Sequence, residues 1–334
     1  MDDMTSFAVA GIDGSRDRRC VGNTSRNWIA VALAAGLAIG ADALAVRAEI
    51  RGVSGSRSLG TLINGIRDGS CRSGLCEVTG GTGAGRNLFH RFNTFDTRGD
   101  ITGVRIHADG YSNIIVGVNN PLGTFIDKGV SLTSKSNLVW LSPGGIHVSG
   151  GGTFSNVLNL QLSTASSLRF GNALFDAYST TADQAATLTS MPDVGLSGLS
   201  SEQASLTAIG LQSNGDLILD GGALTVDQSL LLDSQGGNVV LQTARLLQPG
   251  GAITISGRTV SSEESLIDVS NPNGLGGRIA IATNNLDIRN SRLNASGGVQ
   301  GGFIDVKAEE SLAVYASELS TSVANPAQEL ALST

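Results

Sequence analysis

Histidines, glycine-rich loops and acids are the residues of this sequence that could do chemistry. The three histidines, His90, His107 and His147, are spaced neither as a helical nor as a hairpin pair of metal ligands. The sequence contains no Gly-x-Ser-x-Gly nucleophile turn and no Gly-x-x-x-x-Gly-Lys phosphate loop. We therefore expect no metal, no nucleotide and no other cofactor.

Four aspartates lie near one another in the second half of the chain: Asp216, Asp220, Asp227 and Asp233. Acids clustered on one sheet serve catalysis in β-helical polysaccharide lyases and hydrolases, which makes such an enzyme the alternative for this chain. Spacings of 4, 7 and 6 residues do not hold these acids on one face of a strand, because side chains alternate between the two faces. Glycines beside three of them indicate corner positions instead. We expect that the protein is not an enzyme.

Two cysteines, Cys71 and Cys76, flank a four-residue loop, and a third, Cys20, lies in the first 45 residues. C-x4-C without an adjoining histidine is neither a metal spacing nor the C-x-x-C redox motif. Two cysteines in an oxidising compartment most simply pair. The sequence therefore predicts a disulfide between Cys71 and Cys76.

The elements that would position these residues are indicated by a glycine-pair repeat in the C-terminal half. The pairs are Gly221-Gly222, Gly236-Gly237, Gly250-Gly251, Gly276-Gly277 and Gly301-Gly302. The last three are separated by 26 and 25 residues, and two shorter intervals of 15 and 14 precede them. Alternating aliphatics follow each pair, as in Ile279 and Ile281, which is the period-2 mark of a strand buried on one face.

Three short strands per repeat predict an all-β fold, a right-handed single-stranded parallel β-helix of the pectin-lyase-like kind. No single repeat can bury its aliphatic side chains, whereas stacked repeats shield one another from water. Glycine suits corners that need positive φ or a close approach to the next coil, and Asn284, Asn285, Asn290 and Asn294 are candidates for corner ladders. An antiparallel sandwich is the alternative, but it needs no regular repeat of about 25 residues.

Composition agrees with thin stacked layers. The chain has 334 residues, of which 45 are glycine and only 4% are aromatic. The formal charge is −7, from 22 basic and 29 acidic residues, so no basic field could hold a nucleic acid. We expect no nucleic-acid partner.

The first 45 residues are typical of a targeting segment. Four arginines precede an apolar run over residues 28–44, and Ala43-Leu44-Ala45 is a small-x-small cleavage pattern. A membrane anchor is the alternative. We predict a signal peptide over residues 1–45, an N-terminal domain with a cap over 46–205, regular coils over 206–320 and a tail over 321–334.

Three stretches between residues 80 and 170 carry a family resemblance. They are Arg86-Asn87-Leu88-Phe89-His90-Arg91-Phe92-Asn93-Thr94-Phe95, Leu141-Ser142-Pro143-Gly144-Gly145-Ile146 and Leu162-Ser163-Thr164-Ala165-Ser166-Ser167-Leu168-Arg169-Phe170. They resemble the N-terminal secretion domain of filamentous-haemagglutinin-like exoproteins of two-partner secretion, in the form common among cyanobacterial members. Many members carry Asn-Pro-Asn-Gly-Ile where this chain has Ser142-Pro143-Gly144-Gly145-Ile146.

The resemblance implies a secreted or cell-surface protein, exported through the periplasm by a cognate Omp85-type outer-membrane transporter. A short β-helix acting in adhesion, towards a cell-surface or glycan target, is what would follow the secretion domain. The residues expected to be read by the transporter, or to cap the first coil, are Asn87, Leu88, Phe89, His90, Phe92, Phe95, Ser142, Pro143, Gly144, Gly145 and Ile146. These two roles, recognition and capping, remain alternatives at this point.

Overall fold

The computed structural model describes residues 48–192, 216–221, 223–226, 228–234 and 236–323. These residues form a β-solenoid of about eight turns with parallel sheets, and about 3% of the chain is helical. The predicted fold class is thereby confirmed. The predicted signal peptide, Asp227 and most of the predicted tail lie outside the described residues.

The strands of each coil lie on three faces, called here the first, second and third stacks. The first stack contains β5 (Gly74–Gly80), β8 (Ile101–Ile106), the beginnings of β11 (Gly129–Leu141) and β13 (Thr153–Ser163), β17 (Ala223–Thr225), β20 (Arg245–Leu247), β22 (Leu266–Asp268), β24 (Arg292–Asn294) and β26 (Glu318–Ser320). The second contains most of β7 (Asn87–Asp96), β9 (Asn113–Val118), the ends of β11 and β13, β18 (Ser229–Asp233), and the beginnings of β21 (Ala252–Glu263), β23 (Arg278–Arg289) and β25 (Phe303–Tyr315). The third contains the end of β7, β10 (Thr124–Ile126), β12 (Ile146–Ser149), β16 (Leu217–Asp220), β19 (Asn238–Gln242), and the ends of β21, β23 and β25.

Short antiparallel strands cap the first coil. They are β1 (Ile50–Gly52), β2 (Thr61–Ile63), β3 (Ile66–Arg67), β4 (Ser70–Cys71) and β6 (Thr82–Ala84), with a 3-10 turn at Gly55–Arg57 between β1 and β2. β2 pairs antiparallel with β5, β6 with the start of β7, and β1 with the end of β7. Each face of the first coil therefore has strand pairing on its N-terminal edge, which removes an edge open to aggregation.

An excursion leaves the solenoid between β13 and β16. Its described part contains the antiparallel hairpin of β14 (Ser167–Phe170) and β15 (Ala173–Asp176), then helix α1 (Ala182–Ala185). Parallel pairing continues across the excursion, because β12 pairs with β16 and β13 with β18. The described coils before and after the excursion therefore stack on one another in the same sheets.

The glycine pairs occupy different corners, which explains their uneven spacing. Gly251, Gly277 and Gly302 form one column at the entry to the second stack, whereas Gly221 precedes the first stack and Gly236 the third. A Cβ on Gly277 would collide with the carbonyl oxygen of Gly251, one coil below. This column therefore requires glycine for close approach, while Gly221, Gly236 and Gly250 require it for positive φ.

The main asparagine ladder lies at the entry to the second stack in the early coils. The Nδ2 of Asn113 donates to Asn87 Oδ1 at 2.7 Å, that of Asn137 to Asn113 at 2.8 Å, and that of Asn159 to Asn137 at 2.7 Å. The predicted corner asparagines behave differently: Asn284 and Asn285 donate to the Glu310 carboxylate, and Asn290 adopts a left-handed φ of 48°. Each coil thereby satisfies a polar group of its neighbour.

Candidate functional site

The segment Asn87–Asp96 forms β7, and its side chains alternate between the inside and the outside of the first coil. Leu88 and Phe92 belong to the main core, whereas Phe89 belongs to a second cluster on the outer face. His90, between them, is fully buried and stacks near Phe92 with ring centroids 6.4 Å apart. Most residues of this stretch are therefore inaccessible in the folded chain.

Inside the coil, Phe92 and Phe95 form an aromatic core with rings from later coils. Phe95 meets Trp140 edge-on with centroids 4.5 Å apart, and Phe92 meets Phe95 at 5.1 Å. Phe154, from the next coil up, contacts the same tryptophan at 6.4 Å. Rings contributed by several coils thus fill the N-terminal end of the core.

Outside the coil, the excursion covers Phe89. Its ring lies 5.4 Å from that of Phe170 and 5.1 Å from that of Phe175, which belong to the two strands of the β14–β15 hairpin. Ile115 and Val139, one and two coils above Phe89, join the same cluster. The hairpin therefore buries an apolar strip on the outer face of the second stack.

Arg91, which the sequence analysis did not single out, fastens the excursion and the cap to β7. Its guanidinium donates to the carbonyl oxygens of Arg57 at 2.8 Å, Thr180 at 2.6 Å and Asp176 at 2.7 Å. The side chain is fully buried, with its cation 5.6 Å from the centre of the Phe175 ring. Burial lowers the pKa of Arg91 to about 10, an effect that nearby Asp176 opposes and Arg57 reinforces.

Asn87 has a similar connecting role. Its Nδ2 donates to the carbonyl oxygens of Leu188 and Ser190, both at 2.7 Å, and its Oδ1 accepts from the asparagine ladder. This residue therefore joins the end of the described excursion to the corner of the first coil. The spacing of Asn87, Asn113, Asn137 and Asn159, at 26, 24 and 22 residues, was the sequence signal for this ladder.

The turn at residues 142–145 lies between β11 and β12 and stacks on an equivalent turn at 120–123. In each turn the last N–H donates to the first carbonyl oxygen at 2.9 Å, from Gly145 to Ser142 and from Gly123 to Asn120. Gly144 has no space for a side chain, since a Cβ would meet the Asn120 carbonyl oxygen. Ile146 then enters β12 as a buried core residue.

Ser142 supplies side-chain hydrogen bonds where the family pattern has asparagine. Its hydroxyl donates to the Gly145 carbonyl oxygen at 2.8 Å and accepts from Thr124 at 2.9 Å. The Thr124 oxygen accepts in turn from the indole N–H of Trp140 at 3.2 Å. An Asn-Pro turn does occur one coil lower, where Asn120 Oδ1 accepts from the Leu122 N–H at 2.9 Å. The turn around Pro143 is therefore held by Ser142 and by the coil beneath.

The sulfur atoms of Cys71 and Cys76 are bonded, as the sequence predicted. Cys71 ends β4 in the cap, Cys76 lies in β5 of the first coil, and both side chains are buried in the main core. The bond thus joins the cap to the first stack.

The candidate acids that the structure describes lie at separate positions in the solenoid. Asp233 is buried at the end of β18, where it accepts from Ser163 at 3.0 Å and Ser256 at 2.6 Å in the coils on either side. Asp216 accepts the Asn238 N–H at 2.8 Å, and Asp220 ends β16 at the surface. A groove of about 450 Å³ along the outer second stack is lined by Gln228, Thr254, Arg278 and Phe303 among other described residues, and not by Asp216, Asp220 or Asp233.

Within the described ranges, no group of three or more His, Cys, Asp or Glu side chains is placed to hold a metal ion. The same part of the chain has no helix of the length and apolarity that a membrane crossing requires.

The fold and this site define the class of the chain as a parallel β-solenoid with a capped N-terminal end. Neither a family model nor a curated protein matches the sequence. The resemblance to two-partner secretion exoproteins therefore depends on the residues quoted above.

The buried His90 side chain should make the free energy of unfolding depend on pH. Burial lowers its pKa from 6.5 to about 4, so an unfolded chain binds the proton more readily. The chain therefore has its full free energy of unfolding above about pH 6.5 and loses part of it progressively as the pH falls towards 4. At pH 5 we expect a loss of about 2 kcal/mol in the free energy of unfolding, from 1.36 kcal/mol per pKa unit.

Urea unfolding between pH 8 and pH 4.5 measures this loss in the parent chain and in His90→Gln. For each chain the free energy of unfolding at pH 8 is the reference. Between pH 8 and pH 5 we expect this free energy to fall by about 2 kcal/mol less in His90→Gln than in the parent chain. Identical declines in the two chains would contradict the assignment to His90.

Proposed function

We propose that this chain is a secreted surface exoprotein, exported by an Omp85-type outer-membrane transporter, whose solenoid acts in adhesion to a cell-surface or glycan target. The observation that carries the proposal is the polarity of the solenoid. Its N-terminal end is closed by local antiparallel strands, and every later coil stacks on the one before it. A chain emerging N-terminus first could form its cap and then add coils in order.

The burial of the family-like stretches supports a transporter that reads them before folding. Phe89, Phe92, Phe95 and Ile146 are all buried in the folded chain, so a receptor could contact them only on an extended chain. Recognition and capping then become successive roles of the same residues. The disulfide between Cys71 and Cys76 suits passage through an oxidising periplasm.

Export can be separated from folding at Asn93 and Thr94, two accessible positions of the first stretch. Asn93 is exposed and Thr94 half-buried, and neither side chain has a hydrogen bond in the structure. Asn93→Ala with Thr94→Ala changes the stretch as read on an extended chain, with little effect expected on the fold. We expect secretion to fall when the chain is co-expressed with an Omp85-type transporter that exports the parent chain, while the thermal unfolding midpoint of the purified variant stays unchanged.

Thr153→Ala with Ser155→Ala is the matched control, since both residues are exposed strand residues outside the family-like stretches. We expect this control to be secreted like the parent, with N-terminal sequencing of the exported protein beginning at Val46. Secretion that does not require the transporter would overturn the proposal. Equal secretion of the two double variants would show that the transporter does not recognise residues 93 and 94.

A further inference from the structure

A polar pocket of about 430 Å³ lies beside the cap, at the corner where the first two coils pass from the second stack to the third. Its volume falls within the range of about 300–1,000 Å³ that is usual for small-ligand sites. The polar side chains that line it come from β1, from the turn after β1, from β7 and from the end of β9: Arg51, Ser54, Ser56, Arg57, Asn93 and Asn119.

A β-bulge brings one of these side chains to the pocket. The register between β1 and β7 shifts between Arg51 and Gly52, which leaves Asn93 as the extra residue of β7. A bulge places its extra residue outside the ladder and redirects the side chain. The Asn119 N–H donates to the Phe92 carbonyl oxygen at 3.0 Å, which brings the second coil to the same corner. Backbone pairing therefore holds the wall of the pocket and leaves the side-chain groups available.

The pocket carries positive charge that no acid balances. Neither Arg51 nor Arg57 has an ion pair or a side-chain hydrogen bond among the described residues, and no aspartate or glutamate lines the pocket. The buried Arg91 guanidinium, which donates to the Arg57 carbonyl oxygen, adds a third cation. Asp176 partly offsets the charge of Arg91, but it belongs to the excursion and does not line the pocket. Since the whole chain has a net charge of −7, this local excess of arginine indicates an anionic ligand.

The neutral side chains of the pocket suit a ligand with hydroxyl groups. Ser54, Ser56 and Asn93 have no side-chain hydrogen bond within the described ranges. The Asn119 Oδ1 is buried and has no hydrogen-bond partner, which is unusual in a folded chain, and a ligand hydroxyl is a donor that would supply one. Val53 is the only apolar side chain that lines the pocket, and no aromatic ring does. Charge and hydrogen bonds would therefore provide the affinity.

We propose that this pocket binds a sugar carboxylate, such as that of a uronic acid residue in an acidic glycan. The planar guanidinium groups of Arg51 and Arg57 can form paired hydrogen bonds with a carboxylate. The hydroxyl groups of the same sugar suit the serine and asparagine side chains, which a bare anion would leave without partners. This inference rests on the proposed adhesive function, for which it names the class of glycan target and places the contact at the capped end.

Isothermal titration calorimetry of the purified chain with trigalacturonate tests the inference, with maltotriose as the neutral comparison. We expect trigalacturonate to bind and maltotriose to give no measurable heat of binding. Arg51→Gln and Arg57→Gln should each raise the Kd for trigalacturonate about tenfold, since each variant loses a charge-assisted contact. Raising the salt concentration from about 50 mM to about 500 mM should also raise this Kd, because both arginines are exposed.

Arg67→Gln is the matched control, because Arg67 is an exposed arginine of the cap strand β3 that does not line the pocket. We expect this variant to bind trigalacturonate like the parent. Inorganic phosphate is the second probe, and equal Kd values for phosphate and trigalacturonate would overturn the preference for a sugar. A parent chain that does not bind trigalacturonate would also overturn the inference, as would unchanged Kd values in Arg51→Gln and Arg57→Gln. Circular dichroism of each variant checks that the β fold is retained.

Export is measured separately, by co-expression with the transporter. Arg51→Gln and Arg57→Gln should be secreted like the parent, since both residues lie outside the family-like stretches. A chain that is exported by the transporter but does not bind trigalacturonate would overturn this inference alone. Secretion without the transporter would instead overturn the proposed function, and calorimetry of the purified chain would still report on the pocket.

Discussion

Replacing Arg91 by alanine is expected to lower the free energy of unfolding by about 3–5 kcal/mol, since three buried carbonyl oxygens lose a charged donor and a cavity forms. The acceptors are the carbonyls of Arg57 in the cap and of Asp176 and Thr180 in the excursion. Urea unfolding followed by circular dichroism measures the change. Arg91→Lys should have a free energy of unfolding between those of the parent chain and Arg91→Ala, because an ammonium cannot match the guanidinium fork.

The loss should be concentrated in the elements that Arg91 joins. Limited proteolysis should cleave the Arg91→Ala variant first in the excursion, since its hairpin and α1 are fastened there. Arg169→Ala provides the control, because Arg169 lies in the same hairpin without a side-chain partner in the structure and should change stability by less than about 0.5 kcal/mol. Equal effects of the two substitutions would refute a fastening role for Arg91.

Substituting Gly277 by alanine is expected to cost about 3 kcal/mol, because the new methyl group would collide with backbone of the coil below and the coils must move apart. The obstruction is the Gly251 carbonyl oxygen, reinforced by the Val269 side chain at 2.8 Å. Thermal unfolding and hydrogen exchange of β21 and β23 amides both report the separation of these coils.

Gly150→Ala is the control that separates the backbone collision at residue 277 from the general effect of replacing a glycine near a corner. Gly150 also lies next to a corner, but a Cβ there meets its nearest atom, the Gly221 carbonyl oxygen, at an ordinary 3.6 Å. Its φ is not positive, so alanine meets no backbone strain. We expect this variant to retain the parent's unfolding midpoint within a few degrees, and a similar loss in both variants would contradict the close-approach explanation.

Much of the fold could be predicted because every coil must bury a row of aliphatic side chains against its neighbours. Alternating aliphatics such as Ile253 and Ile255, or Ile279 and Ile281, are buried where the period-2 pattern placed them. The shorter glycine intervals could not be assigned from the pattern, because Gly221, Gly236 and Gly251 precede strands of three different stacks. Only pairing between coils distinguishes one corner from another.

The candidate site was predicted less completely. The stretch over residues 86–95 was singled out by its family resemblance, which did not indicate that its rings belong to two separate clusters. Alternation places Phe92 inside the coil and Phe89 outside it, under a hairpin more than 75 residues further along. Arg91 carried no motif, since its partners are backbone carbonyls that any residue type can supply.

The local sequence pattern predicted the all-β class, the repeat, the inward aliphatic columns and the disulfide between Cys71 and Cys76. These depend on local alternation, on glycine at corners and on short separations along the chain. Which faces meet depended on contacts between coils: the ladder from Asn87 to Asn159, the carbonyl cluster around Arg91, and the antiparallel strands that close the first coil. The physical reason is that these contacts join residues from different coils, and their partners are selected by stacking register rather than by neighbouring residues.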